Sequence, residues 1–290
     1  MVLSAVWESL RPHQWTKNFF ILSALIFSHN LIHPLMVFKA VAAFIIFCFL
    51  SSSIYLINDY IDADKDKLHP LKSKRPIPSG RLPKSTALLI SLIMASLCVL
   101  GAFFLSLSYG FVALTYFLLF CLYSVKLKEI VILDVMTIAM GFVLRVVGGA
   151  FAINVQISNW FLLCTILLAL FLGFSKRRQE LVLLEKGAVN HRSTLAEYSP
   201  YFLDQMIAVV TASTLMAYSL YTMAPETIEK FHTRNLSWTI PFVLYGIFRY
   251  LYLVHQKAEG GDPGRVIFTD RPFMINTLLW LLTAIVIIYL

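Results

Sequence analysis

Nine apolar runs, most of them close to the roughly 20 residues a helix needs to cross a bilayer, constrain this 290-residue chain more than any other feature. They fall at 18–32, 35–57, 86–107, 109–125, 131–153, 159–175, 204–223, 237–255 and 272–290. The runs are continuously apolar rather than alternating. Helices and closed barrels both satisfy their backbone polar groups inside lipid, but only barrel strands alternate, so helices are expected. Charged residues make up only 14% of the chain, against about 25% in soluble domains. The expected fold is all-α: a polytopic membrane protein with nine transmembrane helices in one domain, residues 1–290. Residues 1–17 have no apolar core followed by a small-residue cleavage site, so no cleavable signal is expected.

The net charge of +8 is unevenly placed. Arg11 and Lys17 precede or open the first run. Residues 58–85 hold Lys65, Lys67, Lys72, Lys74, Arg75, Arg81 and Lys84. Lys126, Lys128, Lys176, Arg177, Arg178, Lys186, Arg192, Lys257, Arg265 and Arg271 occupy later loops of the same parity, while the alternate loops contribute only Lys39, Lys230 and Arg234. The positive-inside rule then predicts a multi-pass protein of the inner (plasma) membrane with a cytoplasmic N-terminus and an external C-terminus. Loops 58–85, 124–130, 175–203 and 256–271 are expected on the cytoplasmic side. Cys48, Cys98, Cys121 and Cys164 all lie in apolar runs without metal-ligand spacing, and they are expected to pack as small hydrophobes.

Basic loops are ordinary in such proteins, but the acids of the segment NDYIDADKDK (58–67) are not. If the second helix continues past Ile57, Asn58, Asp59, Asp62 and Asp66 share one face, because residues three to four apart stack along a helix. Asp64 points elsewhere. Carboxylates on neighbouring turns repel unless a cation sits among them. Oxygen-only ligands suit a hard ion such as Mg²⁺, which binds through a few carboxylates plus substrate phosphates. The spacing lacks the glycine and glutamate of a calcium loop. Lys74 and Arg75, before the Pro-Ile-Pro-Ser-Gly turn, stand where they can fold back and donate to the remaining phosphate oxygens.

Asn58-Asp59-x-x-Asp62-x-x-x-Asp66, with Arg75-Pro76-Ile77 and Gly80 after it, resembles the first aspartate-rich motif of the UbiA superfamily of intramembrane prenyltransferases. That resemblance implies a central cavity open to the cytoplasmic side. Most members carry a second acidic motif after the sixth span. Here that place reads Ser175-Lys176-Arg177-Arg178-Gln179-Glu180, where bases favour an anion rather than a second metal. This pattern is similar to the phosphoribosyl-transferring branch, acting on decaprenyl phosphate. The similarity also takes in Leu10-Arg11-Pro12-x-Gln14-Trp15-x-Lys17-Asn18, Tyr123-Ser124-x-x-Leu127-Lys128, Leu133-Asp134, Gly141-Phe142-Val143-Leu144-Arg145 and Arg192-Ser193-x-Leu195-x-Glu197-Tyr198.

The branch implies phosphoribosyl diphosphate as donor, a polyprenyl phosphate as acceptor, and a role in cell wall biogenesis. Asp59, Asp62 and Asp66 become the expected catalytic residues, binding Mg²⁺ with Asn58. Lys74 and Arg75 assist at the diphosphate. Lys17 and Tyr55 line the donor pocket, and Lys176 and Arg177 hold its 5-phosphate. Lys128 and Arg145 take the lipid phosphate, and Arg192 closes over the site. Arg145 lies inside an apolar run, where an ionisable residue is a functional candidate by default; its structural alternative is an ion pair with Asp134. An aromatic prenyltransferase is the competing enzyme, disfavoured by the missing second acidic motif. A transporter would spread charge through its spans, whereas here charge gathers at one face. No nucleic-acid partner is expected, and self-association stays open.

Overall fold

The computed structural model describes residues 2–68, 72–185, 193–257 and 263–289. Among them every regular element is helical, with no strand. Eight helical stretches are long and apolar enough to cross a membrane. The chain forms two compact units, one built on Met1–Gln156 and the other on Ile157–Ala188 and Leu195–Leu290.

The first unit contains α1 (Val2–Leu10), a 3₁₀ segment (Pro12–Leu22), α2 (Ser23–Ile26), α3 (Pro34–Lys67), α4 (Lys84–Leu105), α5 (Leu107–Val125) and α6 (Leu133–Ile153). At 34 residues, α3 is about 51 Å long, well beyond the ~30 Å hydrocarbon layer. Its last turns therefore stand clear of the apolar slab, and those turns carry the acids. Residues 58–67, read from sequence as the start of a loop, continue the helix. Where α3, α5 and α6 meet, Phe47, Tyr109, Tyr116 and Ile21 fill the core. The Tyr109 hydroxyl is satisfied there by donating to the Ala43 carbonyl at 2.7 Å.

The expected first span, 18–32, is not a helix of spanning length. It is replaced by the 11-residue 3₁₀ segment and the four-residue α2. Fifteen α-helical residues would reach only about 22 Å, too short for a bilayer. At ~2.0 Å per 3₁₀ residue, Pro12–Ile26 reaches about 28 Å. The segment runs antiparallel to α3. Trp15 Nε1 donates to Ser52 Oγ at 3.0 Å, and Asn18 Nδ2 donates to Ser51 Oγ at 3.2 Å and to Cys48 Sγ at 3.3 Å. Phe19 stacks on Phe44. On its other flank, a Cβ at Gly149 of α6 would lie 2.0 Å from the Ile21 carbonyl oxygen, so only glycine admits the backbone this closely.

The second unit contains α7 (Asn159–Glu185), α8 (Pro200–Met223), α9 (Pro225–Phe231), α10 (Ile240–Tyr252), α11 (Pro263–Thr269) and α12 (Arg271–Tyr289). A 3₁₀ turn at Asn235–Thr239 and a π turn at Leu253–Lys257 flank α10. Ser199 caps α8 by accepting from Phe202 N at 3.1 Å. Asp270 caps α12, accepting from Phe273 N at 2.9 Å and from the Arg249 guanidinium at 2.8 and 3.1 Å. That guanidinium holds the Asp270 carboxyl below the usual carboxylate range. Inside the unit, Trp280 Nε1 donates to the Tyr218 hydroxyl at 2.9 Å. All four cysteines are free, Cys48 and Cys98 buried and the other two half-buried.

Candidate functional site

Asp59, Asp62 and Asp66 lie along one face of the terminal turns of α3, with Asp59 and Asp66 buried and Asp62 half-buried. The spacing puts them on successive turns, as the sequence requires of an i, i+3, i+7 set. Asp64, on another face, is exposed and pairs with Lys67 and Lys84 at 3.1 and 2.7 Å. Asn58 is half-buried beside the acids.

Each of the three acids has a base. Asp59 accepts from Arg11 Nη2 through both carboxylate oxygens, at 2.6 and 2.7 Å, and from Arg75 Nη1 at 3.2 Å. Asp66 accepts from the same Arg75 nitrogen at 2.8 Å, with Lys72 at 3.7 Å. Asp62 accepts from Lys128 Nζ at 2.6 Å. A buried carboxylate without such partners would cost several kcal/mol. Among the described residues, no three His, Cys, Asp or Glu side chains gather as a ready-made metal cluster. The donor set is nonetheless all oxygen, which fits a hard divalent ion completed by phosphate oxygens and water rather than a closed protein cage.

Local folding explains how Arg75 arrives. Ile77 and Leu82 are buried among Ala5, Leu10, Leu56, Ala63 and Ala87, which plugs the loop onto α1, α3 and α4. Ser79 N bonds the Arg75 carbonyl at 3.0 Å, Leu82 N bonds the Pro76 carbonyl at 2.9 Å, and Gly80 takes the left-handed φ of 78° that lets the chain reverse. Lys74 does not join the acids. Its side chain is exposed, and its carbonyl accepts from Arg81 at 2.7 Å; Lys72 lies nearer the site instead. Arg81 also clasps Glu8 of α1 at 2.7 and 2.9 Å, and that hydrogen-bonded guanidinium holds the Glu8 carboxyl below its ordinary value.

Like Lys72, Arg11 was not assigned to the site from sequence. It stands at the onset of the 3₁₀ segment with φ 52° and ψ 59°, left-handed for a non-glycine residue, and its guanidinium lies 5.1 Å from the centre of the Tyr55 ring. The signal available was an arginine before Pro12 at the mouth of an apolar run. Lys17 is half-buried one residue before the Asn18 clamp.

Arg145 is buried within α6. Its Nε donates to Asn18 Oδ1 at 2.7 Å, Nη1 to the Gly141 carbonyl at 2.8 Å and Nη2 to the Tyr116 hydroxyl at 2.7 Å. Tyr116 and Phe142 lie under the guanidinium plane. These partners are neutral, and Asp134 is not one of them.

In the second unit, Arg177 is buried and donates to Glu180 Oε2 at 2.6 Å, with Lys176 Nζ 3.9 Å from Glu180 Oε1. Arg178 turns to Asp204 of α8, which also lies 3.2 Å from His255 Nε2. Three consecutive bases on α7 thus divide, two with Glu180 and one into a clip joining α7, α8 and the π turn. Arg192 lies outside the described residues.

The chain is 29% identical to a decaprenyl-phosphate phosphoribosyltransferase of Corynebacterium glutamicum, over 98% of its own length and 86% of the relative's. It is 28% identical to the protein of that name from Mycolicibacterium smegmatis, over 99% and 93%. A UbiA homologue from Archaeoglobus fulgidus, solved bound to GPP and Mg²⁺, superposes with a TM-score of 0.75 at 19% identity, covering 99% of this chain and all of that one. The sequence pattern of the UbiA prenyltransferase family matches residues 18–269, and the chain belongs to that family.

Proposed function

We propose that the protein transfers the 5-phosphoribosyl group of phosphoribosyl diphosphate to a polyprenyl phosphate, giving polyprenylphosphoryl-5-phosphoribose and diphosphate. The observation that carries this reading is the nearly full-length similarity to proteins named for that reaction. The run of bases at 176–178 fits it, because the donor's 5-phosphate requires cations where an aromatic prenyltransferase would use acids.

The acceptor phosphate is already an anion, so no general base is needed. One of its oxygens bonds to the anomeric carbon as the bond from that carbon to the diphosphate oxygen breaks, and the electron pair leaves with diphosphate. Charge grows on the leaving group while the ribose becomes oxocarbenium-like. Asn58, Asp59, Asp62 and Asp66 are the residues that would hold a divalent metal, which supplies Lewis-acid stabilisation of the leaving diphosphate when bound. The Archaeoglobus homologue's Mg²⁺ supports the same metal here. Arg75, released from Asp66, donates to diphosphate oxygens, with Lys74 and Lys17 at the rim and Tyr55 lining the donor pocket. Lys176 and Arg177 receive the 5-phosphate. Lys128 turns from Asp62 to the lipid phosphate, while Arg145, whose hydrogen-bond partners Asn18, Gly141 and Tyr116 are neutral, favours an anion through a fixed charge. Catalysis on this account is positioning plus electrostatics.

The protein spans the inner membrane with its N-terminus and the acid face cytoplasmic, and Pro12–Ile26 supplies the ninth crossing. Purified protein in detergent, given Mg²⁺, either phosphoribosyl diphosphate with polyprenyl phosphate or a prenyl diphosphate with 4-hydroxybenzoate, is expected to turn over the first pair. Turnover of the second pair alone would make it an aromatic prenyltransferase.

A further inference from the structure

The acid face of α3 is not open to a metal arriving alone. Three carboxylates, Asp59, Asp62 and Asp66, stand against four bases, Arg11, Lys72, Arg75 and Lys128, at 2.6 to 3.7 Å. The cluster therefore carries an excess of one positive charge. A free divalent cation would meet that excess and would also strip cations from buried acids. An anionic diphosphate arriving with the metal changes both terms, because the displaced guanidinium and ammonium groups then have phosphate oxygens to hold.

Arg11 is built for this exchange. It makes the shortest bond to Asp59, the most buried acid of the three, while its own side chain keeps 20% of its surface exposed. Its backbone is held in the left-handed region, which costs a non-glycine residue about 1 kcal/mol or more and persists where surrounding structure demands it. Its guanidinium is also supported by the Tyr55 ring. We infer that Arg11 is a placeholder cation: it occupies Asp59 until a metal–diphosphate pair arrives, then turns onto the diphosphate. Metal and diphosphate consequently bind together, each tightening the other, and free metal binds weakly. This rests on the reading that the acids of α3 hold a metal–diphosphate.

Equilibrium retention of radioactive Mn²⁺ on the full chain in detergent, with and without inorganic diphosphate, tests it independently of turnover. Wild type should bind Mn²⁺ about tenfold more tightly with diphosphate present, and diphosphate should gain by the same factor from Mn²⁺, since coupling is reciprocal. Arg11→Gln should bind Mn²⁺ alone more tightly than wild type and lose most of the enhancement, whereas Arg11→Lys should keep it. If Arg11→Gln does not elute as a folded species, Arg11→Met should show the same loss. Equal Mn²⁺ affinity of wild type with and without diphosphate overturns the inference while leaving the metal site standing. No Mn²⁺ retention under either condition removes the metal–diphosphate reading itself.

Discussion

Arg145 shows what a residue's type can and cannot tell. An arginine inside an apolar run demands an explanation, and its sequence position offered two: a phosphate ligand or an ion pair with Asp134. Its neighbours are Asn18, Gly141 and Tyr116 rather than Asp134, contributed by a segment 127 residues away, by its own helix and by α5. No local pattern encodes that meeting. Arg145→Met is expected to leave the Asn18 amide and Tyr116 hydroxyl short of a partner, costing about 2–4 kcal/mol and lowering the melting temperature in detergent, with Arg145→Lys between it and wild type. The three aspartates were legible because i, i+3, i+7 spacing is a property of one helix. Arg11 was not, because its pairing with Asp59 across 48 residues depends on how the 3₁₀ segment lies against α3.

Elements differ in the same way. Runs of about 20 apolar residues announce spanning helices directly, and eight such stretches are found. The first expected span is not an α-helix of spanning length, because Pro12–Leu22 winds as 3₁₀, stabilised by the Asn18 contacts and the Gly149 seat. Hydropathy does not register winding. Asp270 lies between spans and sets the start of α12. Its folded pKa is depressed, so the stability it contributes is full above the unfolded value near ~4 and is lost as pH falls through the folded value. Asp270→Asn keeps a cap oxygen but loses the charge paired with Arg249. It should lower stability by about 1–2 kcal/mol at pH 6, and calorimetry or melting curves at pH 3 should show that deficit shrinking. A deficit unchanged between the two pH values would contradict the assignment.

At the scale of the whole molecule, charge placement predicted one loaded face, and the first unit has one: Arg11, Lys72 and Arg75, Lys84 at the start of α4 and Lys128 after α5 all pair with acids at the end of α3. His33, just before α3 begins, lies at the opposite end of that helix. Ser79→Cys and His33→Cys should therefore differ in intact cells, with a membrane-impermeant maleimide labelling His33→Cys and sparing Ser79→Cys until the membrane is opened. The reverse pattern would invert the proposed orientation. Residue spacing made the acid face readable, and charge asymmetry is the ground for the side proposed for it. Of the bases on the acids, Arg75 and Lys128 were named from sequence, whereas Arg11 and Lys72 were not. Which base covers which acid was not readable, since a loop and two distant segments bring them there.

The most direct test of the account is the composition of the lipid product. Protein, Mg²⁺, phosphoribosyl diphosphate and a polyprenyl phosphate are incubated together, and the organic phase is analysed by mass spectrometry, with Asp62→Ala alongside. The account predicts a lipid that has gained one phosphoribosyl unit and carries two phosphorus atoms, formed with one diphosphate released per lipid and absent from the mutant. A lipid that keeps a single phosphorus atom, or product formed equally by Asp62→Ala, would contradict it.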